Sequence, residues 1–140
     1  MELVFDIETD DLDATKIWCI VAIDENDKVY SYSEDNVEEG VALLEKADKL
    51  IGHNIIGFDI PVIKNLYDID LYDADKVIDT LVLSRLFNPT REGGHSLEKW
   101  GYRLALAKWD KPDFTTYSEE MLKYCVQDVK VNKKLFEHLK

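Results

Sequence analysis

Leu3-Val4-Phe5-Asp6-Ile7-Glu8-Thr9 is the stretch on which the reading of this chain turns. It is short and apolar apart from its two acids, and it runs into Asp10-Asp11-Leu12-Asp13. That pattern predicts a buried strand followed by a loop. Side chains two apart on a strand leave the same face, so Asp6 and Glu8 project together. Two carboxylates in an apolar strand are costly as a purely structural choice. Like charges tolerate burial only beside a cation or with raised pKa values. The plainer reading of Asp-x-Glu is a strand end with solvated acids, which this pair alone does not exclude.

Working outward, residues 17–23 read as a second strand, apolar on both faces, and residues 28–33 return as a third after a polar turn. A hairpin meander is the economical arrangement. Val37, Val41, Leu43, Leu44 and Ala47 mark an amphipathic helix. Residues 50–53 form a short strand, and residues 58–66 a helix that tolerates Pro61 in its first turn. Residues 77–80 are read as a strand leading into a helix through Leu81, Leu83 and Leu86. Residues 88–94 read as flexible and residues 96–104 as a helix. Thr116 with Glu119 forms a capping pair for a last helix, which should run to about His138. Early strands followed by strands alternating with helices give an α/β domain with a mixed sheet. Residues 1–140 are read as a single domain without repeats.

At 140 residues, with 46% hydrophobic and 11% aromatic content, the composition is globular. No apolar run approaches the ~18 residues of a membrane span. The start lacks the basic, apolar pattern of a secretion signal. Cys19 and Cys125 have no metal-ligand spacing, so a reducing, cytoplasmic setting is the default. The formal charge of −12 argues against a broad nucleic-acid grip, because phosphate contacts require basic surface. Arg85, Arg91, Lys99, Arg103, Lys108 and Lys111 form the one locally basic stretch. It reads equally as a backbone-contact side or as a mixed solvated surface.

Two further patterns join the acidic pair. Tyr124 and Asp128 are four apart on a helix and so share one face. Asp59 lies near the start of a helix after a strand, where it could complete a ring of acids. Taken singly, Tyr-x-x-x-Asp carries little information, and Asn54 and Asp59 could be ordinary turn or capping residues. An oxygen-only ligand set points to hard ions, Mg²⁺ or Mn²⁺. Two such ions about 3.5–4 Å apart can activate water and stabilise an in-line displacement at phosphorus. Tyr124, with an ordinary pKa of ~10, suits orienting that water better than deprotonating it.

With these residues in place, the chain resembles the DEDD superfamily of 3′→5′ exonucleases, in its tyrosine branch. Phe5-Asp6-Ile7-Glu8-Thr9 is similar to the first motif, His53-Asn54 through Phe58-Asp59 to the second, and Tyr124 through Asp128 to the third. The histidine branch carries its histidine five residues before the last aspartate, where this chain has Lys123. Ile78 through Leu86 and His95 through Leu104 look like the proofreading domains of T-odd-type phage family A DNA polymerases.

The resemblance implies a ribonuclease H-like fold, a five-stranded mixed sheet flanked by helices with the second strand antiparallel. It implies that Asp6 bridges two metals, that Glu8 and Asp128 hold the ion that activates water, and that Asp59 supports the second. Tyr124 would orient the nucleophile. Thr9 and Leu12 would sit beside the 3′-terminal nucleotide, and Asn54 and Phe58 would contact the sugar and the penultimate base. For Leu12 and Phe58 plain core packing is the alternative. Asp79, His53 and His95 read as scaffold. The implied activity is metal-dependent release of nucleoside 5′-monophosphates from single-stranded or frayed DNA 3′ ends. A chain ending at Lys140 suggests a stand-alone enzyme or one working with a separate polymerase subunit, in the host cytoplasm if phage-encoded. The alternatives are an exoribonuclease that trims short RNA and a non-catalytic replisome adaptor.

Overall fold

The computed structural model describes residues 1–87 and 113–139 and places the acidic strand, β1 (Glu2–Thr9), in the middle of a five-stranded sheet. β2 (Ile17–Asp24) pairs with β1 antiparallel, and β3 (Val29–Tyr32) continues the meander antiparallel to β2. On the other side β4 (Lys49–Gly52) and then β5 (Val77–Asp79) run parallel to β1. The order is β3-β2-β1-β4-β5, with β2 alone opposing the rest, the mixed sheet expected from the sequence.

Helices cover both faces, which is why every residue of β2 is buried. α1 (Val37–Lys46) and α2 (Ile60–Tyr67) pack on one face against Leu3, Phe5, Ile7, Ile20 and Leu50. α3 (Thr80–Phe87) follows β5 directly. α4 (Glu119–Leu139) covers the other face, setting Met121, Cys125 and Val129 against Val4, Val21, Ile23 and Ile51. Fully burying one such side chain is worth roughly 1.5–3 kcal/mol. A one-residue slip of β1 would exchange Phe5 and Ile7 for Asp6 and Glu8 on the α1/α2 face, so the core fixes which way the acids point.

Two elements depart from the sequence reading. The helix expected over residues 58–66 is regular only from Ile60, and residues Ile55–Asp59 form a wider π-helical turn in front of it. Pro61 has no N–H to offer the Gly57 carbonyl in a regular α turn, and the Ile60 N–H bonds instead to the Ile55 carbonyl five residues back. The cap of α4 is Ser118, not Thr116: its Oγ accepts the Met121 N–H at 3.1 Å. Residues 88–94, the helix expected over 96–104, His95, Arg91, Lys99, Arg103, Lys108 and Lys111 lie outside the described residues. Among the described residues no helix is long and apolar enough to cross a membrane.

Candidate active site

Asp6 and Glu8 leave β1 on its α4 side, as the period of two requires. Asp128 projects from α4, and Asp59 from the end of the π turn, where it is buried. The Asp6–Glu8 pair, Asp59 and Asp128 come from three distant parts of the sequence and interact in the fold. Burial, then Glu8, Asp59 and Asp128 beside it, hold the Asp6 carboxyl well above the usual carboxylate range. Burial and the neighbouring Asp128 push Glu8 up to about 9. Burial likewise raises Asp59 to about 8, against the opposing pull of an Ile7 N–H hydrogen bond.

Such a cluster is unfavourable by itself, because each added negative charge meets others in a low-dielectric setting. Among the described residues, Asp59 Oδ2 is moreover buried without a hydrogen-bond partner. An orphaned carboxylate oxygen among carboxylates fits a cation, and an oxygen-rich set fits Mg²⁺ or Mn²⁺.

The second motif is held by a residue that the sequence reading left as scaffold. Buried Asp79, at the end of β5, accepts the N–H groups of Asn54 (2.8 Å), Ile56 (3.0 Å) and Leu81 (2.9 Å). It thereby ties the π turn that carries Phe58 and Asp59 to the edge of the sheet. Asn54 takes a left-handed conformation (φ 61°), which asparagine tolerates, and its side chain lies over Gly57. A Cβ at Gly57 would come within 2.6 Å of Asn54 Oδ1. His53 is scaffold too: its Nδ1 lies 2.9 Å from Thr80 Oγ1, which in turn lies 2.7 Å from Asn132 Oδ1. Asn132 is one turn beyond Asp128, so this chain of polar contacts fixes the part of α4 that carries the acid.

Beside the acids lies an open groove of about 350 Å³, whose walls include Glu8, Thr9, Leu12, Phe58 and Phe114. Leu12 is 87% exposed, so core packing does not explain it. Its loop is nonetheless ordered. The Asp10 carboxylate accepts the N–H groups of Thr15 (2.9 Å) and Lys16 (3.1 Å) and the Thr15 hydroxyl, while Thr9 Oγ1 donates to the Asp11 carbonyl (2.9 Å). Phe58 is half-buried against the α1/α2 core and still reaches the groove. Asn54 is exposed beyond the residues that line this groove, so a contact from it would fall on a nucleotide extending past them.

Three residues beside the site, Trp18, Phe114 and Cys125, were missed in the sequence. β1 and β2 lose register between Glu8 and Thr9, and the extra residue is Trp18. Turned toward α4, its indole N–H donates to the Phe114 carbonyl at 2.9 Å and fixes that loop. Phe114 then lines the groove and meets Tyr124 edge-on, with ring centroids 6.2 Å apart. No local pattern around Phe114 signals this. Cys125 is the third: its Sγ lies 3.6 Å from the Asp6 carbonyl oxygen and 4.0 Å from Asp6 Oδ2.

Residues 2–140 match the family described as 3′-5′ exonuclease. The chain is 33% identical to the DNA-directed DNA polymerase of Enterobacteria phage T3 and 31% identical to that of Escherichia phage T7, in each case over 98% of this chain. It spans about a quarter of those relatives, 26% of each. Among solved structures, Brucella melitensis NrnC bound to pGG superimposes with a TM-score of 0.77 at 18% identity, covering 99% of this chain and 71% of that one. The five-stranded mixed sheet with its flanking helices is thus the ribonuclease H-like fold that the motifs implied.

Proposed function

The chain belongs to the 3′-5′ exonuclease family, and from that premise we propose that it hydrolyses DNA from single-stranded or frayed 3′ ends, releasing nucleoside 5′-monophosphates. The observation that carries the reading is the convergence of Asp6, Glu8, Asp59 and Asp128 at the side of an open groove, with Asp59 Oδ2 buried and without a partner among the described residues.

In this reading Asp6, Glu8, Asp59 and Asp128 would hold two divalent cations, Mg²⁺ or Mn²⁺, which when bound would supply the positive charge for water activation and displacement at phosphorus. Tyr124 orients the water through its hydroxyl. Thr9 and the exposed Leu12 meet the terminal nucleotide, with Leu12 wedged against its base from the stapled loop. Phe58 offers a stacking surface, and Phe114 adds a second aromatic wall. Stacking of this kind is worth about 1–3 kcal/mol per base and tolerates any sequence. Asn54 contacts the sugar. The charge of −12 confines the productive approach to short single-stranded ends and makes cleavage sensitive to salt. We extend the proposal to proofreading together with a DNA polymerase, which the polymerase relatives support, and to action in the cytoplasm, that of the host if the chain is phage-encoded.

The test is digestion of 5′-labelled single-stranded DNA, with a free or blocked 3′ end, in Mg²⁺, Mn²⁺ or EDTA, beside Asp6→Ala and a matched RNA. A ladder from the free end only, abolished by EDTA and by Asp6→Ala, is the expected result. Preference for RNA would replace the substrate assignment. No cleavage of either polymer would overturn the enzyme reading in favour of an adaptor. Faster removal of a mismatched than a matched primer end would support proofreading, and equal rates would count against it.

A further inference from the structure

We propose that Cys125 is a third protein ligand of the acidic centre for soft divalent cations, so that Zn²⁺ or Cd²⁺ is taken on Asp6, Glu8 and the Cys125 sulfur. The proposal deepens the reading of this cluster as a metal centre and rests on it.

One ligand atom each from Asp6, Glu8 and Cys125 lies within 4.8 Å of the others. Sulfur and oxygen ligands of one tetrahedral zinc, with bonds near 2.3 and 2.0–2.2 Å, sit roughly 3.6 Å apart. The 4.0 Å from Cys125 Sγ to Asp6 Oδ2 is within a few tenths of that separation. A buried cysteine is more often a small apolar filler, and Met121 and Val129, one turn to either side of Cys125, are fillers of that kind. Cys125 differs from them because its sulfur faces the oxygens of Asp6. Asp59, whose carboxyl interacts with Asp6, has its Oδ2 buried and without a partner among the described residues, which independently points to a cation at this centre.

Thiolate favours Zn²⁺ and Cd²⁺ over Mg²⁺, whose preference is for oxygen. On ligation the S–H bond breaks, the sulfur lone pair forms the bond to the cation, and the proton passes to the buffer. No redox change is involved. The soft ion would occupy the place of a hard one and act as a competitive inhibitor rather than a cofactor.

The experiment titrates the purified full chain with Cd²⁺ and follows the ultraviolet charge-transfer band of a cadmium–thiolate bond. Mn²⁺ binding is measured in parallel by loss of the free-ion electron paramagnetic resonance signal. Expected is a saturable cadmium band in the wild type and in Cys19→Ser, but not in Cys125→Ser, with Cd²⁺ displacing bound Mn²⁺. Cys125→Ser should bind Cd²⁺ at least about tenfold more weakly while keeping Mn²⁺ within about threefold. Wild-type protein that binds Mn²⁺ but shows no cadmium band would overturn thiol ligation alone, without recourse to any variant. A band that survives Cys125→Ser or vanishes with Cys19→Ser would do the same. Failure to bind Mn²⁺ at all would overturn the metal centre itself.

Discussion

Replacing Asp79 by alanine tests whether the second motif is positioned from the sheet edge. The Asp79 carboxylate accepts three backbone N–H groups at 2.8–3.0 Å, two of them in or next to the π turn. An abandoned buried donor costs about 1–3 kcal/mol. Asn54 and Ile56 are exposed residues, so water can reach part of the vacated site and their N–H groups belong at the low end of that range. The sum is about 3–4 kcal/mol. For a chain of 140 residues, each kcal/mol lowers Tm by roughly 3–4 °C, which gives a drop on the order of 10–15 °C. Asp79→Asn keeps one acceptor and should lose about half as much. The loss should also appear as chemistry. With Asp59 and Phe58 riding on a loosened turn, kcat should fall at least about tenfold at a temperature where Asp79→Ala is still folded by circular dichroism. Thermal melts and oligonucleotide digestion measure both. A change in stability below about 1 kcal/mol, or a rate loss no greater than the unfolded fraction, would refute the positioning role.

Three further outcomes are expected. Glu8 and Asp59 hold their protons to about 9 and about 8 in the metal-free fold. In the unfolded chain they ionise near pH 4, so the stability they contribute is complete below that pH and is lost as pH rises toward the folded values. Tm of the metal-free protein should therefore fall between about pH 5 and about pH 8 in a fluorimetric melt, and saturating Mg²⁺ should flatten the slope. A flat or rising metal-free profile would contradict the burial of these acids. Leu12→Ala, at a largely exposed side chain, should leave stability within about 0.5 kcal/mol of wild type. It should nevertheless weaken use of frayed duplex ends by about fivefold or more, and equal rates on frayed and single-stranded ends in both proteins would remove the wedge. Tyr124→Phe should lower kcat at least about tenfold with Mn²⁺ binding preserved, and an unchanged kcat would exclude water orientation by its hydroxyl.

Much of the fold was legible because it follows from local periodicity. The strands of the meander, the helix over Val37–Lys46 and the last helix all declare themselves by which residues are apolar. The shared face of Asp6 and Glu8 follows from the period of two, and that of Tyr124 and Asp128 from the helical repeat. The π turn was less legible, since a proline in a first turn is compatible with either winding.

What the sequence by itself determined was therefore the inventory: an acidic pair on an apolar strand, a third acid after a later strand, and an i/i+4 pair on a terminal helix. Only the tertiary structure decided how close these groups come and what else stands among them. The bulge at Trp18 turns the indole toward Phe114 and so builds one wall of the groove. Asp79 becomes the anchor of the second motif because β5 ends beside the turn after β4. Cys125 meets Asp6 from 119 residues away because α4 packs across the middle of the sheet. Each is a contact between distant parts of the chain, selected by the packing of a buried core, and no short-range pattern encodes it.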